Sequence, residues 1–213
     1  MGRIFQTKNK IIMRRFISFF ILQLFIINSC SSQERFSEVD FFKYVDAKSV
    51  MISIYDTLGQ KIVILNYEFE FSKLKVGDAY LCAISKKYPE EWIKKAKESE
   101  CATREDEYTT IWCQAEHLFR EDTVLLKESF DIYVFFIDKK ELEGPFREQT
   151  DEGYYDNYFP KKNSNIIVYR YNKGKWVEIQ RIKNPNGDIP RFVGEDYMDK
   201  LAQQKIKEYL KNR

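Results

Sequence analysis

Apolar and polar residues alternate along several short stretches of this chain, and a period of two marks strands. Val50, Ile52 and Ile54 alternate with Met51, Ser53 and Tyr55, and Thr57-Leu58-Gly59-Gln60 then turns the chain into a second arm at 61–71. In that arm Val63, Leu65, Tyr67, Phe69 and Phe71 share one face, which belongs to the core. Asn66, Glu68 and Glu70 share the other, as on a strand with one wet side. Residues 79–85, 108–115 and 130–138 are further strands; in the last, Phe130, Ile132, Val134 and Phe136 alternate with Asp131, Tyr133 and Phe135. The clearest hairpin runs from 166–171 through Asn172-Lys173-Gly174-Lys175 into 176–182.

Two segments carry helical spacing instead. Pro89, with Glu90 and Glu91 in the first turn, opens a helix that places Trp92 and Ala96 one turn apart and ends near Glu100. After the turn at Asn184-Pro185-Asn186-Gly187, a terminal helix over about 195–210 aligns Met198, Leu201, Ala202, Ile206 and Tyr209 in one stripe. Residues 139–165, with Gly144-Pro145 and Pro160, read as a polar connection, and 116–129 is ambiguous. Strands predominate, one helix is inserted, one comes last, and no βαβ alternation is present. The expected fold is therefore α+β, with a largely antiparallel sheet, an inserted helix and a C-terminal helix.

The first 30 residues follow a different logic. Residues 16–27 are apolar except for Ser18 and Gln23, a run too short to cross a bilayer, which takes about 20 residues. Arg3, Lys8, Lys10, Arg14 and Arg15 precede or border that run, and no acid occurs before Glu34. This is the charge pattern of an export signal. Ile27-Asn28-Ser29-Cys30 then resembles the lipobox of bacterial lipoproteins: an aliphatic residue, a tolerant position, a small residue and the cysteine. The resemblance implies cleavage before Cys30 and a diacylglycerol on its sulfur, usually joined by a third acyl chain. Two or three chains anchor stably where one holds only marginally. The expected organisation is a signal peptide over 1–29, a lipidated tether over 30–37 and a single domain over 38–213. Met13 by itself opens a complete signal. The implied location is the cell envelope, in the outer membrane if a second membrane exists, since Ser31 after Cys30 is not the aspartate that retains some lipoproteins at the inner membrane.

Removing the leader changes the charge balance. The chain carries 35 bases and 33 acids, but five bases and no acid precede Cys30, so the mature form is net acidic. With its bases scattered among acids, as Lys94, Lys95 and Lys97 are among Glu90, Glu91, Glu98 and Glu100, it lacks the stripe that neutralises phosphates, which excludes nucleic acid as an expected partner.

Catalytic inventory is thin. His117 is the only histidine, four positions from Cys113. On a strand that spacing puts the two α-carbons roughly 13 Å apart, beyond direct contact. Cys82, Cys101, Cys113 and His117 lack the close thiolate pairs of structural zinc sites, so neither metal nor cofactor is expected. In an oxidising compartment one disulfide is the simpler use of these cysteines, with Cys82 and Cys101 the preferred pair and three unbonded thiols the equal alternative. Glu68 and Glu70 point to one side of a strand about 6.6 Å apart, a spacing that paired glycosidase carboxylates approach and that many solvated strands share.

The segment 151–160 is the most suggestive part of the mature domain, with Asp151, Tyr154, Tyr155, Asp156 and Tyr158 as a candidate recognition loop. The plainer expectation is an Ω-type loop that folds its tyrosines onto the sheet edge. The functional expectation is an anchored, non-enzymatic binding or structural module with a protein or glycan partner, an immunity-type protein being one version. An envelope hydrolase acting on glycan or peptide through Glu68 and Glu70, or Cys113 and His117, is the alternative.

Overall fold

The computed structural model describes residues 41–44, 49–57, 60–68, 76–87, 90, 94, 102–105, 109–113, 123–151 and 153–213. The described residues belong to one compact unit, Asp40–Arg213. The described strands are β1 (Ser49–Thr57), β2 (Gln60–Glu68), β3 (Gly77–Ser85), β4 (Ala102–Glu105), β5 (Thr109–Cys113), β6 (Phe130–Asp138), β7 (Leu142–Thr150), β8 (Gly153–Pro160), β9 (Ser164–Asn172) and β10 (Lys175–Asn184). The helices are α1 (Thr123–Ser129) and α2 (Pro190–Lys211), with 3₁₀ turns at Phe41–Tyr44 and Lys139–Glu141. Eight strands form one sheet in the order β10-β9-β6-β3-β2-β1-β5-β4; β7 and β8 pair only with each other. Each described pairing is antiparallel, so the fold is α+β as the sequence pattern predicts.

Hairpin chemistry sets the register. Thr57 opposite Gln60 leaves Leu58-Gly59 as the connection of β1 to β2. Asn172 opposite Lys175 leaves Lys173-Gly174, both at positive φ (47° and 84°), as the mirror-image turn that matches strand twist. The outer strand β10 is irregular: its register against β9 shifts between Glu178 and Gln180.

Both faces of the central strands are dry. One side carries Ile62, Ile64, Tyr80, Cys82, Ile84, Tyr133, Phe135, Ile137, Ile166 and Val168, packed against Met198 and Ala202 of α2. Val63, Leu65, Leu81, Ala83 and Val134, on the opposite side, are fully buried. The expectation of a wet face on β2 is corrected here: Asn66 is buried, because β2 lies between β1 and β3 with α2 packed across that side. Of the helix expected after Pro89, only Glu90 and Lys94 are described, and both are helical; the rest lies outside the described residues. Phe69 and Phe71 lie outside them as well.

The terminal helix starts earlier than its stripe suggests. Pro190 occupies the first helical position, where its missing N–H costs nothing. Asn184 fixes the approach: its amide donates to the Asp188 carbonyl (2.8 Å) and its Oδ1 accepts from the Asp188 N–H (2.8 Å). Tyr209 is exposed and so leaves the expected apolar stripe, whereas Gly194 joins the buried face. A Cβ on Gly194 would meet Tyr80 Cδ1 at 2.7 Å and Phe135 Cδ2 at 2.9 Å, both on rings that are themselves buried. Gly194→Ala therefore trades about 1 kcal/mol of helix propensity against overpacking of about 1–3 kcal/mol. The expected net result is a lower Tm by calorimetry; a raised Tm would mean that the helix lifts off those rings at little cost.

Candidate functional site

Two places gather polar chemistry: the seam under α2, and the separate β7–β8 ribbon. In the seam, Tyr55 Oη donates to Asp199 Oδ1 (2.5 Å) and Tyr80 Oη donates to Glu195 Oε1 (3.2 Å), which also accepts from Arg191 Nε (3.2 Å). Asp199 and Glu195 are one helical turn apart, so a single helix face pins two strands. Two residues along β3 from Tyr80 is Cys82, fully buried and a free thiol. Of the candidate bridge pair Cys82 and Cys101, Cys82 points into the α2 core among apolar side chains, and Cys101 lies outside the described residues.

Burial, reinforced by the Glu195 and Asp199 carboxylates, pushes the Cys82 thiol well above its ordinary pKa. Because only the thiolate is nucleophilic, Cys82 is inert. Burial likewise raises the Tyr80 phenol and lifts that of Tyr133 to about 12. Asn66 Oδ1, opposite Cys82 across the ladder, is buried without a hydrogen-bond partner among the described residues. Among the described residues no group of three or more metal-ligating side chains converges. The seam holds the helix down and keeps the Cys82 thiol and the Tyr80 and Tyr133 phenols protonated.

The ribbon differs in every respect. What reads in sequence as a polar connection followed by an Ω-type loop is a two-stranded antiparallel hairpin. Its base is rooted: Leu142 packs against the α2-side core, Pro160 is buried, and the Lys161 N–H donates to the Glu141 carbonyl (2.8 Å). Beyond the base it is solvated, and Phe146, Tyr154, Tyr155, Tyr158 and Phe159 are between 38% and 68% exposed. The tyrosines do not fold onto the main sheet, because β7 and β8 alone form the sheet that carries them.

Register divides these side chains between two faces. Arg147 lies opposite Asp156 and Gln149 opposite Tyr154, so one face carries Tyr154, Asp156, Tyr158, Arg147 and Gln149. Phe146 lies opposite Asn157 and Glu148 opposite Tyr155, so the other carries Tyr155, Asn157, Phe159, Phe146 and Glu148. Each face has a polar cross-strand pair at its centre. Arg147 Nε donates to Asp156 Oδ1 (3.0 Å), with its guanidinium 5.9 Å from the Tyr154 ring centre; Asn157 Nδ2 donates to Glu148 Oε2 (3.0 Å). The Phe146 and Phe159 rings stand 5.7 Å apart.

Four of the five candidate loop residues, Tyr154, Tyr155, Asp156 and Tyr158, therefore sit on β8, and Asp151 is in the turn at its tip. The sequence reading missed the β7 half of the ribbon, Phe146, Arg147 and Glu148. Cys30, Glu70 and His117 lie outside the described residues; Glu68 ends β2 opposite Ser49, and Cys113 ends β5 opposite Val50. Comparisons with protein-family models, curated proteins and solved structures give no match.

Proposed function

We propose that this chain is an envelope lipoprotein, tethered through lipid on Cys30, whose domain binds a partner without catalysis through the β7–β8 ribbon. The observation that carries the reading is the ribbon itself. Five large aromatic rings stand in water on a hairpin that pairs with no other described strand. An isolated two-stranded hairpin is marginal in water, and apolar rings left exposed together mark an interaction surface. The buried Cys82 thiol and the Tyr80 and Tyr133 phenols, held protonated, support a non-catalytic role for that region, since none of the three offers a nucleophile. The anchor rests on the lipobox resemblance; among the described residues no helix is long and apolar enough to cross a membrane.

Two variants test the two halves separately. Cys30→Ala is expected to abolish incorporation of labelled fatty acid, and persistent labelling would remove the anchor. The Tyr154→Ala/Tyr155→Ala double variant is expected to lose in-cell crosslinks to the partner, with stability within about 0.5 kcal/mol per site because both rings are exposed. A large drop in Tm would make the two rings structural and overturn the reading.

A further inference from the structure

We infer that the occupant of the ribbon is an extended neutral glycan, a deepening that rests on the ribbon being the binding surface. The argument begins with spacing. Tyr154 and Tyr158 share a face four residues apart, roughly 13 Å along the strand, a span that takes a short run of linked sugars rather than one. Between the two rings sits the Arg147–Asp156 pair, whose bond uses one of five guanidinium N–H groups and one of two carboxylate oxygens. Its remaining donors and acceptor lie where sugar hydroxyls need partners, while the flanking rings offer faces to the apolar side of a pyranose. The opposite face repeats the layout, with Tyr155 and Phe159 around the Asn157–Glu148 pair.

Protein and polyanion partners fit this layout less well. A protein hot spot clusters its anchors and shuts water out, whereas these rings are separated by an exposed ion pair, 67% and 42% accessible, that a protein surface would have to desolvate. Residues 142–160 contain five acids and one base. That excess repels nucleic acid, anionic lipid and acidic polysaccharide alike, and of the chains it does not repel, an uncharged one is what separated ring faces and hydroxyl-bonding groups fit.

The test uses the full chain solubilised in detergent. It is mixed with chitin, cellulose and β-1,3-glucan particles, with protease-stripped envelope polysaccharide from the source cells, and with heparin beads as a polyanion control. Retention on at least one neutral polymer is expected, falling about tenfold or more for Tyr154→Ala and for Tyr158→Ala. Tyr154→Phe and Tyr158→Phe should retain most of the binding, and Tm should be unchanged throughout. Absence of retention on every neutral polymer, or equal retention on heparin, overturns the glycan. The ribbon as a binding surface then stands if the Tyr154→Ala/Tyr155→Ala variant still loses its in-cell crosslinks, and falls if that variant crosslinks like the wild type.

Discussion

Replacing Asp78 with Asn is expected to stabilise the domain progressively as pH rises, relative to wild type. Asp78 is only 7% exposed at the start of β3, its described hydrogen bond is the one its Oδ1 accepts from the Ala79 N–H (3.0 Å), and burial lifts its pKa from 3.8 to about 7. Below pH 3.8 the carboxyl is protonated in both folded and unfolded chains, so it contributes no pH dependence. Between pH 3.8 and 7 the unfolded chain releases the proton while the folded one holds it, and stability falls; above pH 7 the loss is complete. A shift of about three units corresponds to about 4 kcal/mol. Asn keeps the shape and an oxygen for Ala79 but does not titrate. The gap in unfolding free energy between variant and wild type, from urea titrations at pH 4 and pH 8, should therefore widen by up to about 4 kcal/mol. A gap that does not change with pH would show that Asp78 titrates alike in the folded and unfolded chains.

Phe135→Ala is expected to cost about 3–5 kcal/mol, the range for emptying a buried phenylalanine site. The ring is fully buried on β6, meets Tyr197 edge-on at 5.4 Å, and forms part of the surface against which Gly194 seats α2. Set against a typical total of 5–15 kcal/mol, that loss leaves a marginal fold. The urea midpoint should fall steeply, and the near-ultraviolet signal of Tyr197 should broaden before the main transition. A cost below about 1 kcal/mol would show that α2 does not depend on this ring.

Legibility in the sequence followed burial. β1 with β2, β6 and β9 each present apolar residues on a repeat that a buried face imposes, whereas β10, largely exposed, is legible from the Asn172-Lys173-Gly174-Lys175 turn that precedes it. The ribbon was not, because neither of its faces is buried: Phe146, Arg147, Glu148, Tyr154, Tyr155 and Asp156 have no core to select an alternating pattern. Its aromatic and acidic composition flagged β8 as a recognition segment, but Gly144-Pro145 disguised β7 as a loop. Gly194 hid the start of α2 in a related way. As a poor helix former it argues against a helix locally, and only contact with Tyr80 and Phe135 explains why nothing larger stands there. The buried side of β2 misled for a third reason. Asn66 and Glu68 look solvent-bound in one dimension, and the helix that covers Asn66 comes more than 120 residues later.

The offset at Ile179 in β10 bears on crowding. A flat outer strand would offer its unused N–H and C=O groups as a template for the same strand of a neighbouring molecule. Here the extra residue breaks that template in the middle, and Arg181, doubly bonded to Glu178 at 2.6 and 2.8 Å, sets a charged clasp beside the break. Neighbouring molecules at high density can thus collide along this flank without zipping into fibrils.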